Sequence, residues 1–342
     1  MAIGFSIATN RLLDAGRLAD MLCAARIIAL RFGRLDHLPR AGARLQFDSM
    51  NRRNFIKHAT LTATTLAALT PTALMAANAP DRRHKKGIMW GTVGAKGSVL
   101  EKMKAVKEAG FDGAEMNSHM DQAEVLKARD ETGLEIPSVC GVKHWDKVLS
   151  SPDAKVREEG LEALRQTLRD AKAYGAGSIL LVPGTVGKET TYDQCWERSI
   201  AEIRKAIPLA EELGVKISIE NVWNNFITEP AQAAAYVDAF GSPMVGWHFD
   251  CGNIIRYGDP IEWIKKLGPR IKRVHVKEYS RDKAMKTGDV WKGFGVPLLE
   301  GANNWPGIVK ALAEIGYTNY LITEQGGGLK ELSTALDKII AS

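Results

Sequence analysis

A chain of 342 residues in which 45% are hydrophobic can bury a large core. Its formal net charge of +6 arises in residues 1–79, which hold ten Lys/Arg and four Asp; residues 80–342 then carry 36 charges of each sign. That neutral remainder offers no electrostatic footprint for nucleic acid, and four cysteines without a C-x-x-C spacing make neither a disulfide framework nor a thiolate zinc site.

The first 79 residues read as a leader. "NRRNFIKHATLTATTLAALTPTALMAANAP" pairs Arg52 with Arg53, runs uncharged from His58 to Ala79, and closes on the A-x-A of Ala77 and Ala79. It resembles a twin-arginine export signal. The expectation is a Tat-type signal peptide over 50–79, recognised by the Tat export machinery and removed near Pro80, with the mature protein in the periplasm. Several threonines and a proline make the run weakly hydrophobic for a spanning helix, so the mature form is not expected to insert stably in the membrane. Met50 directly precedes "NRRNF", which makes residues 1–49 an expected gene-model extension without ordered structure.

A repeating beat follows. "GIMWGTVG", from Gly87, is the first strand. Helix-like segments then stop at Gly110, Gly133, Gly175, Gly214, Gly241, Gly268 and Gly316, and each is followed by a strand-like run: "AGFDGAEMN", "TGLEIPSVC", "YGAGSILLV", "LGVKISIEN", "FGSPMVGWHF", "LGPRIKRVHV" and "IGYTNYLITE". Glycine suits the left-handed residue just past a helix. Val156–Ala173 and Trp196–Leu213 are the clearest helices. Alternating strands and helices imply a parallel sheet, and eight such units in about 260 residues match a single-domain (β/α)8 TIM barrel over 80–342. No G-x-G-x-x-G follows the first strand, so an open dinucleotide-binding sheet has little support.

In a barrel, side chains at the C-terminal strand ends build the active site. In the fifth strand Ile217 and Ile219 alternate with Ser218 and Glu220, which aims Glu220 at the axis. The sixth strand ends on Asp250, the seventh alternates Val274 and Val276 with inward His275 and Lys277, and the eighth delivers Glu324 just before three glycines. Three carboxylates at one mouth repel unless a cation or protons compensate. Three oxygen donors and one imidazole suit Mn2+, Mg2+ or Co2+, with Zn2+ less favoured by so few nitrogen or sulfur ligands. Glu115, ending the second strand, is expected to bind a hydroxyl or pair with Lys143. His144 and Trp145 close the third strand and Trp223 follows Glu220; these indoles would stack on sugar C–H faces or pack in the core. Lys277 would hold an oxyanion or pair with a carboxylate. His119 and His248 are read as structural.

"IENVWNNF", "GWHFDCGNIIRYGDP", "IKRVHVKEYSR" and "ITEQ" together resemble the xylose-isomerase-like barrels, in the branch of sugar phosphate isomerases/epimerases that includes ketose 3-epimerases and hexulose-phosphate isomerases. The resemblance spans roughly residues 86–340. It implies one divalent metal ion, Mn2+ foremost, on Glu220, Asp250, His275 and Glu324, with Glu220 and Glu324 also moving protons. Arg281 matches a polar residue near the metal in ketose epimerases. Asn253 stands where several epimerases carry a histidine, a departure that bears on any sugar contact carried over. The implied activity is metal-dependent isomerisation or epimerisation of a small-molecule sugar through an enediolate. A keto-sugar or keto-glycoside is expected, because no Gly-rich phosphate loop or Arg/Lys cluster is apparent. The alternatives are a hexulose-phosphate type isomerase, a metal-assisted lyase or hydrolase, and a non-catalytic periplasmic sugar-binding protein; association as a homo-oligomer is left open.

Overall fold

In the computed structural model the described residues are 84–342; the expected extension (1–49), the twin-arginine segment (50–79) and the cleavage point near Pro80 lie outside them. Eight parallel strands close in sequence order into a barrel: β1 (Lys86–Met89), β2 (Gly113–Asn117), β3 (Val139–Cys140), β4 (Ser178–Leu181), β5 (Lys216–Glu220), β6 (Val245–Asp250), β7 (Ile271–Val276) and β8 (Leu321–Thr323). The described residues thus form the TIM barrel that their periodicity implies.

The pleat sorts the side chains. Ile217, Ile219, Trp247, Phe249, Val274 and Val276 are fully buried and belong to the main apolar core, while the alternate positions Ser218, His248, Asp250 and His275 project the other way, into the barrel. Strand register then levels the polar set. Glu220 pairs with His248 across β5 and β6, and Asp250 with His275 across β6 and β7.

The helices start and stop where side chains can satisfy their ends. The first, α1 (Val99–Glu108), opens on a capping box in which Ser98 and Glu101 bond each other's backbone. The second, α2 (Gln122–Thr132), is capped by Asp121 and ends on left-handed Gly133. The long α3 (Ala154–Tyr174) runs from an Asp153 cap to Gly175, at φ 83°. The expected single helix Trp196–Leu213 is instead two, α4 (Tyr192–Arg204) and α5 (Ile207–Leu213). Pro208 explains the break: it has no N–H to continue the ladder, and the amides of Lys205 and Ala206 bond Glu202 O and Ile203 O in tightened turns. Next come α6 (Pro230–Asp238), the short α7 (Cys251–Ile254) and α8 (Pro260–Leu267). Gly268 then takes φ 54° with ψ −132°, outside the left-handed helical region that Gly175 and Gly214 adopt.

After β7 the chain runs through a polar-anchored segment: α9 (Arg281–Thr287), a 3-10 turn at Val290–Phe294, then α10 (Trp305–Glu314). Glu278 organises it from a fully buried position. Its carboxylate accepts hydrogen bonds from Leu299 N (3.1 Å), Asn303 N (3.1 Å) and the Trp305 indole (2.8 Å). Tyr279, Ile255 and Ala284 form a small second core there, against Trp223 and Phe294. The last helix is α11 (Leu329–Ile340). Among the described residues no helix is long and apolar enough to cross a membrane, and Cys140, Cys195 and Cys251 are buried free thiols.

Candidate metal centre and active site

Four strand ends converge as the sequence implies. Glu220, Asp250, His275 and Glu324 each place one ligand-type atom within 4.8 Å of the others, at the C-terminal mouth. His275 Nδ1 lies 3.1 Å from Glu220 Oε1 and 3.2 Å from Glu324 Oε2. Asp250 uses Oδ1 to accept the Asn253 amide at 2.7 Å, which starts α7. Its other oxygen, Oδ2, is buried without a hydrogen-bond partner; the nearest cation, Lys277 Nζ, stands 3.6 Å away.

The electrostatics record the crowding. Burial, together with the charges of Glu324 and Glu220, pushes the Asp250 carboxyl up to about 8 despite Lys277. Burial also raises Glu220, against its bond from His275. Burial would raise Glu324, but the Lys277 ammonium, 2.9 Å from Oε2, and His275 together hold it low. The Lys277 ammonium is correspondingly stabilised; burial opposes it but the facing carboxylates prevail. An unpartnered carboxylate oxygen and two carboxyls raised by burial and mutual repulsion are what a divalent cation would relieve. The donor set, three carboxylates and one imidazole, fits a hard or borderline divalent ion.

Beneath this cluster lies a layer that sequence reasoning assigned differently. Glu115 is fully buried and makes neither the Lys143 pair nor a contact open to substrate. Its Oε2 faces His275 Nε2 at 2.7 Å, and its Oε1 takes the Ser138 hydroxyl at 2.5 Å. Burial alone would raise this carboxyl, but His275, His248 and the two hydrogen bonds hold it down at about 2. The His248 ring packs 4.1 Å from His275, centroid to centroid, and burial with the His275 charge keeps it well below its ordinary value. Without a cation, burial would lower the His275 imidazole, but Glu115, Glu220 and Glu324 raise it well above its ordinary value. With a cation replacing the Nδ1 proton, a carboxylate accepting Nε2–H would keep the Nδ1 lone pair aimed at the cluster, the arrangement that orients metal-ligating histidines.

A cavity of about 520 Å3 opens over the site, with Glu220, His275, Glu324 and Lys277 in its wall. His144, Trp145, Trp223 and Asn253 line it as well. His144 and Trp145 sit in the turn after β3, past the strand they were expected to close. His144 Nδ1 accepts the Val182 amide at 3.3 Å, and burial pushes this imidazole down to about 4. Trp223 donates its indole N–H to Asn253 O at 2.9 Å. Arg281 is turned elsewhere: its guanidinium donates to Ile255 O at 2.7 Å, and it is absent from the cavity wall, because the carbonyls closing α7 bind it first. Met89, Trp291 and Phe294 enter the wall without having been singled out. For Trp291 and Phe294 the only signal was a run of aromatic residues in a Gly-rich loop, "VWKGFGVP".

The fold and the site define a TIM-barrel protein with a candidate metal centre at the mouth of its strands. The model of the xylose isomerase-like TIM barrel family matches residues 103–339, and the chain belongs to that family. L-ribulose-5-phosphate 3-epimerase UlaE of Escherichia coli O1:K1 / APEC is 26% identical over 238 residues, which are 65% of this chain and 81% of that protein. The solved structure of an L-ribulose 3-epimerase is 24% identical, with a TM-score of 0.60 over 76% of this chain and 86% of its own. That of the 3-keto-D-glucoside 4-epimerase YcjR from E. coli is 17% identical, with a TM-score of 0.64 over 76% of this chain and all of its own.

Proposed function

We propose that the protein is a metal-dependent sugar epimerase or isomerase that moves a proton next to a carbonyl in a keto-sugar, free or carrying a glycosidic substituent. The observation that carries this reading is the convergence of Glu220, Asp250, His275 and Glu324 at neighbouring strand ends, with Asp250 Oδ2 buried and without a hydrogen-bond partner among the described residues. Membership of the family and the sugar epimerases among its relatives support the reaction class. Glu220, Asp250, His275 and Glu324 would hold the ion, Mn2+ foremost. When bound, such an ion polarises the sugar carbonyl and steadies negative charge as it develops on that oxygen.

The chain's own residues account for the proton. Glu220 and Glu324 rise from β5 and β8 and both line the cavity. A carboxylate on each side of a planar enediolate can remove a proton from one face and return one to the other, which is epimerisation. Lys277 and His275 keep Glu324 ionised, so it stands as the carboxylate form. Asn253 fixes Asp250, and Glu115 fixes His275. Trp223 and His144 would contact the reacting sugar and exclude water, and the more exposed Trp145 would contact the outer part of the substrate.

Proton NMR in D2O of the metal-loaded protein with a panel of keto-sugars tests this. A substrate C–H should exchange and a stereoisomer or aldose should appear. Glu220→Gln and Glu324→Gln should each slow turnover by about 100-fold or more. Two variants with unimpaired exchange and turnover would refute the acid–base roles. The twin-arginine segment supports a further part of the proposal, export to the periplasm with residues 80–342 as the mature enzyme.

A further inference from the structure

We propose that the mouth carries a subsite for a second ring, in which Trp145 and Trp291 hold a neutral sugar joined by a glycosidic bond to the reacting keto-sugar. This rests on the epimerase or isomerase reading and specifies its substrate class.

The first support is where the two indoles stand. Trp145 follows β3, and Trp291 lies in the 3-10 turn after β7. Trp291 reaches over to pack on Trp223, in the loop after β5, so the two indoles come to the mouth from separate loops. Both line the cavity that contains Glu220 and Glu324, yet Trp145 is 52% exposed and Trp291 60% exposed. A core role does not account for that exposure, whereas an indole face left in water at a sugar site can stack on the C–H face of a ring.

The second support is that the Trp291 side of the rim has a backing. The Trp291 ring lies 4.8 Å from Trp223, and Phe294 lies 4.8 Å from the same indole. Trp223 is fixed by its bond to Asn253 O and by the Arg256 guanidinium, 4.7 Å from its centroid. Trp145 in turn packs edge-on against His144 at 5.4 Å. A ring entering here meets aromatic surface braced from below.

Charge decides what kind of second group fits. Among the described residues lining the cavity, Lys277 is the only Lys or Arg, and its ammonium is engaged by Glu324 and Asp250. Beyond the ion that Glu220 and Glu324 would hold, this wall offers a phosphate no uncommitted ammonium or guanidinium. A neutral ring needs none. The substituent is therefore inferred to be a saccharide, in contrast to the sugar phosphate in the name of the relative UlaE.

The test uses metal-loaded protein, calorimetric binding and D2O exchange with three kinds of probe. These are the single-ring keto-sugars D-fructose and 3-keto-D-glucose, their 6-phosphates, and the two-ring compounds isomaltulose and 3-keto-sucrose. At least one two-ring compound should surpass its single-ring counterpart about tenfold in affinity and in kcat/KM, roughly one aromatic stacking contact. In Trp145→Ala and Trp291→Ala that preference should fall towards one, through KM rather than kcat. If single rings exchange and two-ring compounds gain nothing, the subsite is refuted while the epimerase or isomerase reading stands. A preference for the phosphates refutes it too, with Arg256, stacked on Trp223, then a candidate for the anion. If no probe exchanges, the reaction class fails, and calorimetry still decides the subsite: equal affinity for one and two rings refutes it.

Discussion

Replacing Glu115 by alanine isolates the layer beneath the candidate metal centre. The side chain is fully buried and touches no substrate space, so its effect must pass through His275. With the carboxylate present, the proton of a neutral His275 belongs on Nε2, 2.7 Å from Glu115 Oε2, and Nδ1 is free to ligate. With it gone, the proton gains more on Nδ1, where Glu220 and Glu324 lie at 3.1 and 3.2 Å, and that tautomer blocks the ligand lone pair. Loss of a carboxylate behind a metal-bound histidine weakens metal binding about 10- to 100-fold, or about 1.4 to 2.8 kcal/mol. Glu115→Gln keeps an acceptor oxygen and should lose less. Competition with a fluorescent chelator for Mn2+ gives the affinity, and nitrogen-15 shifts of the His275 ring report the tautomer. The apo variant should remain folded by circular dichroism, which separates ligand orientation from collapse. A folded Glu115→Ala protein with wild-type Mn2+ affinity and unchanged His275 shifts would refute the reasoning.

Four further outcomes are expected. His275→Ala and Asp250→Ala should each abolish stoichiometric metal while leaving the fold intact; elemental analysis showing full occupancy in both would exclude this site. His144, held down at about 4 by burial, binds fewer protons folded than unfolded, so its contribution to stability is present above about pH 6.5 and is lost as pH falls through 4. Between pH 7 and 4 the apo wild type should then lose about 3 kcal/mol more than apo His144→Asn in urea unfolding, and equal losses would contradict the assignment. Glu278→Ala strands the Trp305 indole N–H and the Asn303 amide, which should cost at least about 2 kcal/mol and loosen the segment carrying Trp291, measured by denaturation and by hydrogen exchange. Arg52→Lys with Arg53→Lys should leave uncleaved precursor in the cytoplasm; unchanged export would end the twin-arginine assignment.

The barrel was legible because its signals are local. A helix that must stop before a strand leaves a glycine at positive φ, and Gly133, Gly175, Gly214 and Gly316 adopt that geometry. Alternation in Ile217–Glu220 and Val274–Lys277 separated core from axis without knowledge of any partner strand. The split of α4 from α5 was also written locally, in Pro208, but an unbroken apolar periodicity through Trp196–Leu213 masked it.

What was not legible depends on depth and on long-range reach. Glu115 and Glu220 both end barrel strands on an inward carboxylate, and nothing in either strand distinguishes a ligand from its support. The difference is made by strand register and by His275, 160 residues from Glu115, whose ring spans the interval with one nitrogen to each. Arg281 shows the same limit in reverse: its spacing from His275 suggested the site, but the carbonyls at the end of α7 supply a nearer set of acceptors. Trp291 belongs to a loop whose path is set by the buried Glu278 carboxylate, 13 residues earlier, gathering Leu299, Asn303 and Trp305. A strand-end pattern can name the residues that chelate, because chelation is imposed where strands stop. It cannot name those that orient a ligand or wall a mouth, because their roles are created only when distant segments are brought into contact.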